Sequence, residues 1–267
     1  MWFALLVAFA HQTPVTPPGA APPKIAPQKT AAPAPKLTTT PEPKSALTWV
    51  GLPAGRFHFG CEPQDPDCEG DEQPGSDVDV AAFALMKTEV TKAAWDRCVV
   101  AGACSALPPP KDNPGCSDRG LEHPVNCVTL PEATAFCRWV GGRLPTVIEW
   151  EYAAKSGGSR VFPWGDDMPW GEGYAHNKIN EVGDADGFDG TAPVGRYPAG
   201  TTPWGLLDIG GNVWEWTSSD YNPKTKPGLK EIRGGGYNIF PQSTRVSCRM
   251  WRLPDERWGD LGFRCAR

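Results

Sequence analysis

The chain has 267 residues, a formal net charge of −5, 30 prolines and nine cysteines. The acidic balance argues against a nucleic-acid partner held through phosphate contacts, because such binding needs clustered Lys and Arg. Length alone is compatible with either one large domain or two small ones.

The first ten residues, MWFALLVAFA, form an apolar run that is too short to span a bilayer as a helix. The run is similar to the hydrophobic region of a secretory signal, and Ala8-Phe9-Ala10 has the small-x-small form of a cleavage site. Basic residues are missing before it, so a fortuitous apolar terminus is the alternative. We expect an exported protein, periplasmic, envelope-bound or secreted, without a transmembrane span.

Residues 11–46 are rich in Pro and Ala and contain no aromatic residue. Such a segment has too little apolar surface to offset the entropy lost on ordering. The composition therefore predicts a disordered linker with polyproline II character, and it places the start of the folded domain at residue 47.

Short strands are predicted next, over residues 48–60 and 78–90. Between them, residues 61–79 carry eight Asp and Glu residues. A charge run of this kind is typical of a solvated surface, and a calcium-binding loop is the alternative.

The sequence contains N-cap signals for three helices. Thr91 is a candidate N-cap for a helix through Val100. Capping boxes begin the other two, Thr129 with Glu132 and Thr146 with Glu149, and paired glycines follow each helix. Beyond them the chain is rich in Gly, Pro, Trp and Asp without helical periodicity, which predicts loops and short strands.

Two stretches of this second half offer oxygen ligands. Asp184, Asp186 and Asp189 surround a turn glycine, as in calcium loops, although an Asp/Gly surface turn is the alternative. In GGNVWEW, Asn212 and Glu215 lie among large apolar side chains. A buried carboxylate needs a cation or a metal ion, while local capping is the simpler interpretation.

Nine cysteines favour an oxidising compartment. None of them forms a CxxC motif and the four histidines are scattered, so we do not expect a zinc site. Three pairs have spacings that allow local disulfides: Cys61 with Cys68, Cys98 with Cys104, and Cys116 with Cys127.

Four stretches carry a family resemblance when taken in order: CRWVGGRLPTVIEWEYAAKSGG (137–158), FPWGD (162–166), GLLDIGGNVWEWTSS (205–219), and IRGGGY (232–237) answered by LGFRCAR (261–267). They resemble the formylglycine-generating enzyme family, also called sulfatase-modifying factor domains. The resemblance covers residues 48–267. It implies a single compact α+β domain with a variant C-type-lectin-like fold, rich in loops and low in regular secondary structure.

The resemblance also implies calcium as the cofactor. One site would use Asn177, Asp186 and the backbone carbonyls of Lys178 and Phe188. A second would use Asn212 and Glu215 with nearby carbonyls that include that of Val213. The family further implies a long-range disulfide between Cys137 and Cys265, which leaves Cys248 as an unpaired thiol.

Active members of the family oxidise a substrate cysteine to formylglycine with O₂ and a copper(I) ion held by two thiolates. The register of RGGGY places the two ligand positions at Ile239 and Thr244, neither of which can bind copper(I) as a thiolate does. We therefore expect no copper-dependent oxidation. The family's iron-dependent branch is also disfavoured, because His58, His123 and His176 do not cluster.

The closing segment offers a ligand surface. Arg245, Arg249, Trp251 and Arg252 either line a groove for a peptide, protein or small anionic ligand, or pair with the acidic excess of the domain. Three hypotheses follow for the whole protein. It is an exported, calcium-stabilised binding or accessory module, a formylglycine-generating oxidase, or a structural envelope protein.

Overall fold

The computed structural model describes residues 39–41, 47–109, 116, 119–167 and 187–267. These residues belong to one compact unit, Ala34–Arg267, and the other unit, Met1–Pro33, lies outside the described residues. The apolar leader, most of the Pro/Ala-rich segment, and the candidate ligands Asn177, Lys178 and Asp186 therefore also lie outside the described residues.

The strands form three small sheets. The first has the order β1-β2-β5 (Thr39–Pro41, Thr48–Leu52, Phe83–Met86), and the second pairs β3 with β4 (Gly55–Phe59, Ser76–Val80). The third has the order β8-β7-β6-β9 (Met250–Arg252, Lys226–Arg233, Trp214–Asn222, Leu261–Gly262). β6 is antiparallel to β7 and parallel to β9, so the GGNVWEW stretch enters the centre of this sheet.

Strand β1 corrects the predicted domain boundary. Thr39, Thr40 and Pro41 pair with β2 although the composition assigned them to the disordered linker. Strand pairing needs main-chain hydrogen bonds rather than apolar side chains, and Pro is tolerated on an edge strand. A composition-based boundary is therefore too late here.

The three predicted helices are confirmed: α1 (Lys92–Val100), α2 (Leu130–Trp139) and α3 (Val147–Ala154). The Thr91 hydroxyl accepts a hydrogen bond from the backbone N–H of Ala94, and both capping boxes form, at Thr129 and at Thr146. Each cap satisfies backbone N–H groups that have no partner within the helix. Within the described residues, these helices are too short to cross a membrane.

Two apolar clusters make up the core. The first contains Trp214 and Trp216 of β6 together with Phe136 of α2, and the second contains Trp150 and Tyr152 of α3. Because side chains alternate along a strand, Trp214 and Trp216 share one face of β6, and Glu215 points to the opposite face.

Four disulfides join the cysteines in the pairs described above. Three are local, and the fourth connects α2 to the C-terminal segment over a sequence separation of 128 residues. The free cysteine among the described residues is the buried Cys248. The long-range bridge restricts the unfolded chain most, by about 4–5 kcal/mol on the chain-entropy account.

Candidate functional site

The loop that leads into β6 has a left-handed backbone at several positions. The φ angles of Asp208, Gly211 and Asn212 are 51°, 94° and 63°. Such angles are uncommon outside glycine, and Asn and Asp tolerate them better than other residues do. The loop therefore turns tightly beneath the third sheet and brings its polar side chains into the protein interior.

Asn212 connects this loop to two distant segments. Its Oδ1 accepts a hydrogen bond from the backbone N–H of Ala192 at 2.9 Å, and its Nδ2 donates to Glu89 Oε1 at 3.0 Å. The backbone carbonyl of Asn212 accepts from the N–H of Tyr237 at 2.9 Å. Neighbouring Val213 has a buried side chain. Asn212 is thus a junction between segments rather than a local cap.

Glu215 already has a cationic partner. Arg264 Nε donates to both carboxylate oxygens, at 2.9 and 2.8 Å, and Trp150 Nε1 donates to Oε2 at 2.9 Å. Glu215 and Arg264 are completely buried. The sequence indicated that a buried Glu215 needs a partner, and in the structure that partner is the guanidinium of Arg264.

Two further carboxylates lie beside this pair, and the sequence analysis missed both. Glu89 is completely buried, and among the described residues no donor group reaches its Oε2. Burial, together with the charges of Asp208 and Glu215, raises the pKa of Glu89 well above its ordinary value, despite Arg264. Burial likewise raises the pKa of Asp208 to about 6.

The carboxylates around Arg264 carry more negative charge than its guanidinium can balance. Among the described residues, three carboxylates, those of Glu89, Asp208 and Glu215, share the guanidinium of Arg264. When all are ionised, two negative charges remain in a buried region, and a buried charge is costly without a counter-charge. Oxygen ligands in an irregular loop suit a calcium ion. We call these four residues with Asn212 the acidic cluster.

The first predicted calcium site is represented here by Phe188 alone. Its ring lies edge-on to that of His123, with ring centroids 6.3 Å apart, and the guanidinium of Arg196 lies 6.0 Å from its centroid. The other three ligands implied by the resemblance lie outside the described residues.

The two positions aligned with copper ligands have other roles in this chain. Ile239 packs against the first apolar cluster, and the Thr244 hydroxyl donates to the carbonyl of Pro241 at 2.6 Å. Cys248 is 8% exposed, and burial raises the pKa of its thiol to about 12. The described residues therefore present no pair of free thiols here.

Arg245 is corrected from a groove residue to a buried ion-pair residue. Its Nη1 contacts Asp65 Oδ2 and Glu72 Oε2, both at 2.7 Å, and its Nη2 donates to Glu72 Oε1 at 2.8 Å. The hydroxyl of Ser247 also donates to Glu72, at 2.9 Å. For Arg245, these contacts agree with the alternative interpretation, in which the arginines pair with the excess acidic residues of the domain.

The acidic stretch 61–79 is therefore only partly a solvated surface. Asp65 and Glu72 are buried against Arg245. Glu62 is also buried, and its Oε1 lies 2.7 Å from Lys155 Nζ. Sequence alone does not distinguish these three carboxylates from their exposed neighbours, because their cationic partners are about 90 or more residues away.

The other groove candidates lie nearer the surface. Arg249 is paired with Glu231 at 2.7 Å, and its guanidinium lies 5.0 Å from the ring centroid of Tyr221. The guanidinium of Arg252 lies 4.6 Å from the ring centroid of Trp258, which is 46% exposed. Trp251 is half-buried. Of the predicted ligand surface, Arg249, Trp251 and Arg252 are thus half-buried, and Trp258, which was not predicted, adds an exposed ring beside Arg252.

Comparison with known proteins places this geometry in context. A family profile described as "Sulfatase-modifying factor enzyme 1-like domain" matches residues 35–267. The formylglycine-generating enzyme of Mus musculus is 33% identical over 296 aligned residues, which cover 87% of this chain and 78% of that protein. The inactive C-alpha-formylglycine-generating enzyme 2 of Mus musculus is 32% identical, covering 81% of this chain and 84% of that protein.

Among solved structures, PvdO from Pseudomonas aeruginosa is similar with a TM-score of 0.74 and 28% sequence identity. The similarity covers 86% of this chain and 97% of that chain. The expected fold class is confirmed: a loop-rich α+β domain of the variant C-type-lectin-like kind.

Proposed function

Because the chain belongs to the sulfatase-modifying factor enzyme 1-like domain family, we propose that it is an exported, calcium-stabilised binding or accessory module rather than a copper-dependent oxidase. The observation that carries this proposal is the replacement of both thiolate positions by Ile239 and Thr244, whose side chains pack and hydrogen-bond within the protein. Copper(I) prefers soft thiolate ligands, which these side chains do not provide.

The copper proposal is tested with the purified protein and copper(I). We expect no tight copper(I) binding and no oxidation of a cysteine-containing peptide under O₂. The double variant Ile239→Cys/Thr244→Cys is the matched positive control, because it supplies two thiols at the aligned positions. Tight copper(I) binding by the unmodified protein, together with peptide oxidation, would overturn the proposal.

The second candidate function is formylglycine generation. It is favoured by the 33% identity to a formylglycine-generating enzyme over most of both chains. A relative of nearly equal identity is named as inactive, so overall similarity does not discriminate between the two functions. The copper and peptide-oxidation assay separates them directly.

We infer that calcium binds at Glu89 and Asp208 rather than at Glu215, whose carboxylate oxygens are bonded to Arg264 and Trp150. Glu89 Oε2 receives no hydrogen bond from the described residues, and Asp208 lies next to it without a cation of its own. Glu89 and Asp208 would hold the ion, and Asn212, which presents its Nδ2 to Glu89 Oε1, would position that carboxylate. A bound ion would supply the positive charge that Arg264 alone does not.

A thermal melt tests the calcium proposal. Calcium that binds the native state raises its stability by about 2.7 kcal/mol at a concentration one hundred times its Kd. We expect a higher melting temperature in calcium than in EGTA, and a smaller difference in Glu89→Gln. Glu122→Gln, which removes an exposed carboxylate, is the matched control. Equal melting temperatures of the unmodified protein in calcium and EGTA would overturn the proposal.

Export is supported by the four disulfides, because such bonds persist in oxidising compartments. Expression with and without a periplasmic export signal tests it. We expect one free thiol per chain after export and a misfolded or reduced product in the cytosol. A native cytosolic product with all thiols reduced would contradict export as a requirement.

The structural envelope alternative predicts an insoluble, envelope-bound protein in cell fractionation.

The ligand surface is proposed at Trp251, Arg252 and Trp258. An aromatic ring that carries a stacked guanidinium offers apolar contact and positive charge together. The same cysteine-containing peptide serves as a fluorescent probe. We expect binding without oxidation, weakened in Arg252→Ala and unchanged in the control Arg56→Ala, which removes an exposed arginine elsewhere. Equal binding by both variants would exclude this surface.

A further inference from the structure

The disulfide between Cys61 and Cys68 closes a loop that also supplies carboxylates to a buried ion pair. Asp65 lies inside this loop, and its Oδ2 is 2.7 Å from Arg245 Nη1 and 3.6 Å from Cys61 Sγ. The backbone N–H of Cys61 donates to the carbonyl of Glu72 at 3.3 Å. The disulfide, Asp65 and Glu72 thus form one unit around Arg245, which we call the acidic clamp (61–72).

The disulfide is accessible from solvent. It lines a cavity of about 280 Å³ together with Pro63, Gln73 and Pro74. Cys68 is half-buried, and Gln73 Nε2 donates to its Sγ at 2.9 Å. By contrast, both cysteines of the long-range disulfide between Cys137 and Cys265 are fully buried. A reductant therefore has a path to Cys68.

Cys248, the free cysteine, follows two residues, Arg245 and Ser247, that the acidic clamp holds. Its backbone N–H donates to the carbonyl of Arg245 at 3.1 Å, and its neighbour Ser247 donates to Glu72. Cys248 is 8% exposed. Opening of the clamp would therefore release Arg245 and Ser247, which lie just before Cys248 in the chain.

We propose that the Cys61–Cys68 disulfide is a redox-modification site whose reduction opens the acidic clamp, separates Asp65 and Glu72 from Arg245, and exposes Cys248. The reductant is a dithiol. One of its thiolates attacks Cys68 Sγ, a mixed disulfide forms, and Cys61 leaves as a thiolate. The second thiol of the reductant then displaces Cys68. Two electrons and two protons pass to the two cysteines, and the dithiol becomes a cyclic disulfide.

We expect reduction to open the clamp because the loop between Cys61 and Cys68 then gains conformational entropy. Without the covalent closure, the loop that carries Asp65 must be ordered by the ion pair and backbone contacts alone, at a cost in conformational entropy. The release of Arg245 would also free a guanidinium that the intact disulfide keeps buried.

The test measures alkylation of Cys248 by N-ethylmaleimide without reductant, in Cys61→Ser/Cys68→Ser and in the matched control Cys98→Ser/Cys104→Ser. Both variants remove a local disulfide of similar span, with sequence separations of 7 and 6. We expect Cys248 to react at least tenfold faster in the first variant and at the unmodified rate in the control. Near-UV circular dichroism checks that each variant retains native packing.

Dithiothreitol treatment of the unmodified protein provides a second measurement that needs no variant. After a brief treatment and alkylation, peptide mass spectrometry reads each cysteine. We expect Cys248 labelling to rise in step with Cys61 and Cys68 labelling while native near-UV dichroism persists. The proposal is overturned if Cys248 stays unlabelled in native protein whose Cys61 and Cys68 are labelled, or if both double variants accelerate its labelling equally.

Discussion

Two regions of buried charge in this protein differ in their balance. In the first, which we call the balanced network, three carboxylates face three cations: Glu62, Glu151 and Glu231 with Lys155, Arg233 and Arg249. In the acidic cluster, three carboxylates face the guanidinium of Arg264. Both regions are buried, so burial alone does not distinguish them.

This difference in charge balance separates buried charges that stabilise the fold from buried charges that favour ligand binding. A balanced set satisfies its own electrostatics, and its members stabilise the fold only together. An excess of carboxylates favours either protonation or the capture of a cation. The regions should therefore respond in opposite directions to the same substitution, Glu to Gln.

The largest expected effect is in the balanced network. Glu151 lies between Lys155, at 3.0 Å, and Arg233, at 3.1 Å. Glu151→Gln leaves the three cations of the network with two carboxylates, and removal of one partner from a buried pair typically costs about 3–5 kcal/mol. Urea unfolding at neutral pH with disulfides intact measures the loss. A loss below about 1 kcal/mol would show that the network does not depend on its balance.

The same change in the acidic cluster should have the opposite sign. In EGTA, at a pH above the raised pKa of Glu89, Glu89→Gln removes one of the two excess negative charges, and we expect the free energy of unfolding to rise by about 1–3 kcal/mol. In saturating calcium the variant should lose this advantage, because the ion compensates the charge in the unmodified protein. Urea unfolding in EGTA and in calcium measures the difference in the free energy of unfolding between the variant and the unmodified protein. A variant that is destabilised in EGTA would contradict the charge count.

A smaller effect is expected at the α2 capping box. Burial raises the pKa of Glu132, but hydrogen bonds from Arg257 and Thr129 outweigh burial and hold it below the ordinary value. Its contribution to stability is therefore complete above the ordinary pKa and is lost as pH falls through the lower folded value. We expect Glu132→Gln to cost roughly 0.5–1 kcal/mol at pH 7 and much less at pH 2. A pH-independent cost would contradict this.

The smallest effect is expected at the exposed pairs of Arg56 with Asp77 and Asp79, whose N···O distances are 3.7 and 3.6 Å. The arginine side chain is 61% exposed, and solvent screens such pairs. Arg56→Ala should change stability by about 0.5 kcal/mol or less. A loss comparable to that of Glu151→Gln would remove the distinction between buried and exposed charge.

Much of the framework was predictable from local sequence. Thr91, Thr129 and Thr146 mark helix starts because a cap needs a side-chain oxygen and residues within one turn. The ordered set from RLPT to GFRC identified the family, and the alternation of GGNVWEW placed both tryptophans on one face of β6. The linker boundary was wrong at Thr39–Pro41, because pairing on an edge strand leaves little trace in composition.

Local sequence was enough to identify the helix starts, the local disulfide candidates, the family, and the absence of thiols at positions 239 and 244. Tertiary structure alone decided the charge partners: Arg264 for Glu215, Asp65 and Glu72 for Arg245, and Glu89 beside Asp208. The reason is the sequence separation between the residues that interact. Caps and short disulfide loops join neighbours in the chain, whereas buried charges are paired across the fold, between residues that no local pattern connects.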